Sequence, residues 1–462
     1  MSKIALVVII CYFCGLALSL LKGAHWAFYV YELVYFLNPE KRWWSAGVPL
    51  SKYSLIAVVF LILTYALQRN KYSLNKFHEI PQFKWLVLLL LSYSITYFFA
   101  VNKGIHLSAL IEFAKLFIVI GIAYKVLDSM KKVEYSIYAL IVGIAYLGYE
   151  ANALGRDEYG RVGRFGMIDA PDVNVACAAM ISALPFLIFY FWRGSVKVKI
   201  IMTFFGAIII NALVLANSRG AFIGAFVGVT YFIWEMLRSK FKVKFQRSIA
   251  VMLIVLGLAG LSVVIDSSFI ERMNTLSDVS DGSKSGSHRT AFWLIAIDMS
   301  KDYPFGAGAR GFELLSPINV PQEYFDVGKT SKAVHSLWFQ ALTELGYIGF
   351  FFFMALIFCT LTSLRKIKRR CFEVNDIHGF YFTHALLCSF IGVLAASSFI
   401  NQFRTQIIYW LILFVACLVN IVLIKKGGST SSEGEGVIIK SKNYPSCKPN
   451  KALIDKSTSD KK

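Results

Sequence analysis

Stretches of about twenty consecutive apolar residues recur along the chain, and they constrain the fold more than any other feature of the sequence. Each stretch is long enough to cross the hydrocarbon core of a bilayer as an α-helix. Since lipid cannot satisfy backbone polar groups, such stretches must form helices. The 462 residues are 57% hydrophobic and 16% charged, whereas about a quarter of a soluble domain is charged. The sequence therefore predicts an all-α, polytopic integral membrane protein.

The number of membrane spans follows from the positions of these stretches. We predict about 12 transmembrane helices, within a range of roughly 11 to 13, because the first two stretches are short. The first of them, Ile4–Leu21, has no small-residue cleavage pattern after it. We therefore interpret it as a span and not as a cleaved signal peptide. The predicted spans are residues 4–21, 23–37, 53–67, 85–101, 107–127, 135–151, 173–192, 200–216, 220–237, 248–265, 337–364, 380–400 and 407–424.

One long polar stretch, residues 266–336, separates N-terminal transmembrane helices in 1–265 from C-terminal ones in 337–424. Loops longer than about 15 residues are usually functional or disordered. We predict a large extracytoplasmic loop here. Within it, Arg289–Ser300 is expected to form a helix whose apolar face lies on the bilayer surface or on the membrane domain. The last segment, 425–462, is rich in Ser, Gly and Lys and is expected to be a disordered cytoplasmic tail.

The net charge of +20 is explained by membrane topology and not by a nucleic-acid partner, because the cations lie in the loops between spans. The loops predicted on one side of the membrane carry twenty Lys and Arg in total, and the loops predicted on the other side carry nine. The positive-inside rule places the first set in the cytoplasm, so the long loop faces outward. The cation-rich loops are residues 69–84, 125–132, 193–199, 238–247 and 365–370.

The cysteine and glycine patterns exclude several other kinds of site. Six of the eight cysteines fall in apolar stretches and none falls in the long loop, which argues against a disulfide framework or a zinc site. The outward loops contain no Asp-x-Asp motif or cluster of metal ligands, so we predict neither a metal nor another cofactor. Gly306–Gly311 formally matches GxGxxG. It follows no buried strand, so we predict a tight turn and not a dinucleotide site.

Three residues are the candidate catalytic groups. Arg219 lies between two apolar stretches, where a charge is costly, and it either binds phosphate or snorkels to a lipid headgroup. Arg289 would lie at a helix N-terminus, where the dipole disfavours a cation, so an anionic ligand or an ion pair should hold it. His335 stands where the loop re-enters the membrane, and it either accepts a proton from a hydroxyl or anchors the loop. We predict that the three converge within reach of one diphosphate.

Four further arginines are candidate substrate-binding residues. Arg161 and Arg164 lie in an outward loop with several acidic residues. They either extend a cationic site for an anionic lipid carrier or form ion pairs within a solvated loop. Arg310 lies beside the predicted glycine turn, and Arg404 is another outward cation.

Several of these motifs occur together in a known order. Asn217-Ser218-Arg219-Gly220 opens an apolar stretch, and Arg289…Trp293, Pro304–Gly308 and His335-Ser336…Leu345–Gly349 follow it. This ordered set resembles the O-antigen ligase and polymerase superfamily over about residues 200–365. The stretch Leu37–Trp44 (LNPEKRWW) is also similar to the exosortase-associated branch of that superfamily.

The resemblance implies a metal-independent, inverting glycosyltransferase of the bacterial inner membrane, with its active site facing the periplasm. The donor would be a glycan on undecaprenyl diphosphate, and the acceptor would be lipid A–core, a second glycan or a protein hydroxyl. Arg219 and Arg289 would bind the diphosphate, and His335 would activate the acceptor or orient the leaving phosphate. The alternatives are a polymerase of O-antigen or exopolysaccharide on the same scaffold, a transporter or flippase, and a non-catalytic assembly subunit.

Overall fold

The computed structural model describes residues 2–48, 52–72, 75–157, 161–163, 165–169, 172–264, 288–325, 328 and 330–425. All regular secondary structure in the described part is helical, as predicted. Residues 265–287 of the predicted long loop and 426–462 of the predicted tail lie outside the described residues, so the extent of both segments stays a prediction.

The helices follow the apolar stretches closely. In chain order they are α1 Lys3–Leu21, α2 His25–Leu37, α3 Tyr53–Leu67, α4 Pro81–Thr96, α5 Lys103–Val126, α6 Met130–Leu154, α7 Val173–Ile181, α8 Leu184–Arg193, α9 Val196–Ala216, α10 Arg219–Arg238, α11 Gln246–Val264, α12 His288–Asp302, α13 Gly311–Asn319, α14 Leu337–Glu373, α15 Ile377–Ser397 and α16 Gln406–Leu418, which a π-helical turn extends to Lys425.

Polar residues and proline set several helix starts. The side-chain oxygens of Ser2, Asn102, Asp172 and Asp376 each accept a backbone N–H of the first turn that follows, which satisfies donors that a helix cannot pair itself. Pro81 opens α4 at a position where its missing N–H costs nothing.

Nine of the described helical segments are long and apolar enough to cross a membrane, counting α7 and α8 as one. Two shorter apolar helices, Tyr53–Leu67 and Gln246–Ala259, add to them. The protein is therefore a polytopic membrane protein, and the exact number of about 12 spans stays a prediction. Helices α15 and α16 lie at the centre, since 89% of each apolar segment is buried, against 22% for α9.

The segment that was predicted as the single span 337–364 differs from that prediction. Helix α14 runs on to Glu373, and it is broken at Gly346, whose φ of 68° lies in the left-handed region. The break frees the carbonyl oxygens of Thr343 and Glu344, which accept the N–H groups of Ala307 and Gly308 at 2.8 and 3.2 Å. The glycine turn predicted near Gly306 therefore forms, and it docks directly onto the interrupted helix.

A second small core fixes the described residues between Phe292 and Val334 on top of the membrane helices. It contains Phe292, Ala296 and Met299 of α12, together with Phe312, Leu315 and Val334. Trp293 stacks on Phe339 of α14, with ring centroids 5.4 Å apart and planes 18° from parallel. The helix predicted at Arg289–Ser300 therefore exists and packs on the membrane domain.

Replacing Gly346 by alanine should destabilise the protein by about 1–3 kcal/mol. An added Cβ would lie 2.2 Å from the backbone oxygen of Pro304, in a conformation that only glycine adopts readily. Thermal unfolding in detergent measures the effect. Gly206→Ala is the matched control, because nothing lies within 4 Å of its added Cβ. Equal melting temperatures for the two variants would contradict the expectation.

Candidate functional site

Arg219 is positioned by a tight turn between two spans. Helix α9 ends at Ala216, the capping residue Asn217 has a φ of 46°, and Arg219 is the first residue of α10. Glycines along α10 allow this helix to lie against α15. An added Cβ at Gly224, for example, would lie 2.5 Å from the backbone oxygen of Gly392. The guanidinium group of Arg219 is therefore carried at the end of a closely packed pair of helices.

Arg289 lies in the first turn of α12, where the helix dipole is also positive. Partial burial and, to a smaller extent, the neighbouring charge of Arg219 lower the pKa of the Arg289 guanidinium below its usual value. An arginine stays charged under such shifts. Arg219 and Arg289, each in the first turn of its own helix, repel each other. An anion bound between them would relieve that repulsion.

His335 is held in the left-handed region, with a φ of 50°, which is uncommon for a residue other than glycine. Its neighbours anchor it on both sides, since Val334 is buried and the N–H of Ser336 donates to Oδ1 of Asn401 at 3.0 Å. The side chain of His335 itself is exposed. Backbone strain of this kind persists where the surrounding structure imposes it, often at functional sites.

Arg219, Arg289 and His335 line the same cavity, together with Arg161. We call this cavity of about 270 Å³ the cationic pocket. Its one acidic lining residue among those described is Asp172, and Oδ1 of Asp172 accepts two backbone N–H groups at the start of α7. The remaining lining residues are Asn174, Val175, Asn217, Ser218, Gly220, Ala333, Phe399, Ile400 and Asn401. The pocket therefore offers three arginines and one imidazole to an anion.

A larger cavity of about 800 Å³ adjoins the cationic pocket. The two cavities share the lining residues Asp172, Val175, Ala333 and Asn401. Arg310 and Arg404 line this larger cavity and not the cationic pocket. Arg164 lies outside the described residues. Of the seven predicted site residues, the structure thus brings four together in the cationic pocket and places two more next to it.

Both arginines of the larger cavity have carboxylate partners. Arg310 binds Glu313 through two N–H groups at 2.6 and 2.9 Å. Nε of Arg404 lies 3.2 Å from Oε2 of Glu344, and this carboxylate raises the pKa of Arg404. These charges are compensated within the protein. The larger cavity therefore suits a neutral ligand.

Glu344 is a site residue that the sequence analysis missed. Its side chain is 2% exposed, and Oε1 accepts the side-chain amide of Gln340 at 3.0 Å and the N–H of Arg310 at 3.2 Å. Its position inside the apolar stretch 337–364 could have indicated a functional role, because ionisable residues in membrane spans are costly and usually functional. It ties the glycine turn to the loop that carries Arg404.

Replacing Glu344 by glutamine should destabilise the protein by about 3 kcal/mol, because it leaves Arg404 without its buried counter-ion. The matched control is Asp298→Asn, which removes an exposed pair with Lys301 on α12, outside the membrane spans, and should leave stability nearly unchanged. Thermal or denaturant unfolding of the two purified variants gives the comparison. A Glu344 variant as stable as the control would show that the pair contributes little.

Comparison with known proteins agrees with the motifs. Residues 202–354 match the family model described as O-antigen ligase. This segment is about a third of the chain, and it includes Arg219, Arg289 and His335. The predicted resemblance to the O-antigen ligase superfamily is confirmed over these residues, whereas the match does not address the exosortase-associated branch. A search of curated proteins finds no match to the chain.

Proposed function

We propose, with the O-antigen ligase segment as the premise, that this membrane protein transfers a glycan from undecaprenyl diphosphate to an acceptor hydroxyl. The reaction would take place at the outer, periplasmic face of the bacterial inner membrane. The observation that carries the proposal is the convergence of Arg219, Arg289 and His335 on one cavity. Motifs separated by up to 116 residues in the sequence thus meet at one cavity rich in arginine, which supports a diphosphate as its ligand.

The arginines would act on the leaving group. When the bond between the sugar and the diphosphate breaks, negative charge develops on the phosphate oxygens. Fixed donors aimed at that charge lower the barrier, and preorganised arginines supply them without a metal or other cofactor. Arg219 and Arg289 would bind the diphosphate between them, and Arg161 would add charge at the rim. Burial is the main cause of the lowered pKa of Arg289, and a bound diphosphate would offset the smaller contribution, the repulsion from Arg219.

His335 would act on the acceptor. Its neutral imidazole would take the proton of the acceptor hydroxyl as that oxygen attacks the anomeric carbon. The new bond would form on the face opposite the departing diphosphate, so the anomeric configuration would invert. The proton would end on His335, and the electron pair of the broken bond would leave with undecaprenyl diphosphate. The adjoining cavity of about 800 Å³ offers room for the acceptor glycan.

Surface-glycan profiling in a host deleted for this gene tests the proposed function. Carrier-linked and acceptor-linked chains would be resolved with and without complementation by the wild type. We expect long carrier-linked chains to accumulate in the deletion strain without reaching the acceptor. Accumulation of single carrier-linked repeat units would instead identify a polymerase on the same scaffold. Accumulation of the donor on the cytoplasmic face would point to a flippase and contradict a transferase.

A further inference from the structure

A third cavity, of about 370 Å³, lies at the other end of α10 from the cationic pocket. Helix α10 begins at Arg219 and ends at Arg238, so the two cavities lie at opposite membrane faces. The end of α10, the segment after it, the last turns of α14 and the start of α15 form the walls. The charged lining residues are Glu235, Arg238, Lys240, Arg365, Lys368 and Arg369. We call it the basal pocket.

The basal pocket has a large excess of positive charge, with five cations and one carboxylate among its lining residues. Glu235 binds Lys368 at 2.7 Å, and Arg369 binds Glu373 at 2.9 Å. The other three cations have no carboxylate partner within the described part of the chain. They are Arg238, Lys240 and Arg365, and they come from three separate segments.

Aromatic rings hold these cations at the edge of the span. The guanidinium of Arg238 lies 4.9 Å from the ring centre of Trp234, and Nζ of Lys240 lies 5.9 Å from that of Phe372. Trp234 is 52% exposed, and Phe226 lies two turns earlier on the same helix with 69% exposed. An apolar surface that faces lipid therefore runs directly into the wall of the basal pocket.

We infer that the basal pocket binds the phosphate head group of an anionic phospholipid, with its acyl chains lying along the exposed face of α10. Basic pockets between spans on the cytoplasmic side are typical sites for such head groups. The positive-inside rule accounts for cations in the cytoplasmic loops. It does not account for three cations without carboxylate partners, among the described residues, around one pocket. A soluble phosphate would use the same charges, yet it would gain nothing from the lipid-facing surface of Trp234 and Phe226.

The test uses the full-length protein purified in mild detergent and native mass spectrometry. The probes are phosphatidylglycerol, cardiolipin and phosphatidylcholine, each added separately. The wild type should retain the two anionic lipids and not phosphatidylcholine. A triple variant, Arg238→Gln, Lys240→Gln and Arg365→Gln, should weaken that retention on the order of 100-fold, since each cation near a membrane surface contributes about a factor of five.

The matched control removes three cations elsewhere on the same face, as Arg69→Gln, Lys197→Gln and Lys199→Gln. It should retain anionic lipid like the wild type. Equal losses in the two triple variants would overturn the inference, because diffuse surface charge would then explain the retention. Equal retention of phosphatidylcholine, or full displacement of the lipid by inorganic phosphate, would also overturn it. Unchanged melting of the triple variant in detergent without added lipid would show that the loss is not unfolding.

Discussion

Glycan transfer by the Arg219→Ala variant should fall by about 10²–10³-fold, the usual effect of removing one preorganised donor to a developing negative charge. Arg219 is the residue that α10 carries into the cationic pocket, and its charge acts on Arg289 as well. Arg219→Lys should recover part of the activity, because an ammonium keeps the charge but loses the planar fork that matches phosphate. The measurement is the rate of transfer from a purified undecaprenyl-diphosphate-linked glycan in proteoliposomes.

Arg69→Ala is the control for the Arg219 variants. Arg69 is exposed and lies in the short helix Arg69–Tyr72 after α3, away from the cationic pocket. It should transfer glycan at the wild-type rate. If Arg219→Ala also transfers at that rate while the protein remains folded, the assignment of the diphosphate to the cationic pocket is wrong.

The His335→Asn variant should lose about 10²–10⁴-fold in transfer rate, the contribution of a positioned general base. Asparagine is preferred to alanine at this position because it removes the imidazole and still tolerates the left-handed conformation that His335 adopts. Alanine would add backbone strain. The variant should therefore fold normally and keep the donor bound. Donor binding and transfer rate, measured on the same preparation, separate a lost base from a lost pocket.

His78→Asn is the control for the His335 variant, since His78 is 78% exposed and lies before α4. It should transfer normally. The acid side of the rate–pH profile provides a second readout, because it should flatten when the imidazole that takes the proton is absent. A His335→Asn variant with an unchanged rate and profile would show that His335 only anchors the loop.

The helices and the three central site residues could be predicted from the sequence for simple physical reasons. Apolar stretches of about twenty residues leave little choice of structure in a bilayer. Arg219 and His335 each border such a stretch, where a charged or titratable side chain is conspicuous. The packing of α10 on α15 and the hydrogen bond between Ser336 and Asn401 bring these residues to one pocket. These long-range contacts cannot be read from a local sequence pattern.

The division of charge between the two adjoining cavities could not be predicted in this way. Arg310 and Arg404 look like phosphate ligands in the sequence, as Arg219 does. In the structure their charges are compensated by Glu313 and Glu344, and Glu344 lies sixty residues from Arg404 along the chain. The break at Gly346 was missed for a similar reason. Its freed carbonyl groups are paired by the distant glycine turn, so an apolar stretch that looks continuous contains two helices.

The close contact between α10 and α15 has a consequence for genetics. Gly224 and Gly228 leave so little space against Gly392 and Cys388 that any side chain there would push the two helices apart. Arg219 begins α10, and Phe399–Asn401 of the cationic pocket follow the end of α15. Inactivating alleles should therefore arise at these mid-membrane glycines. A second-site Ala396→Gly change should suppress a Gly224→Ala allele only in part, because it removes the contact of 2.7 Å with the side chain of Ala396 but leaves the contact of 2.5 Å with the backbone oxygen of Gly392.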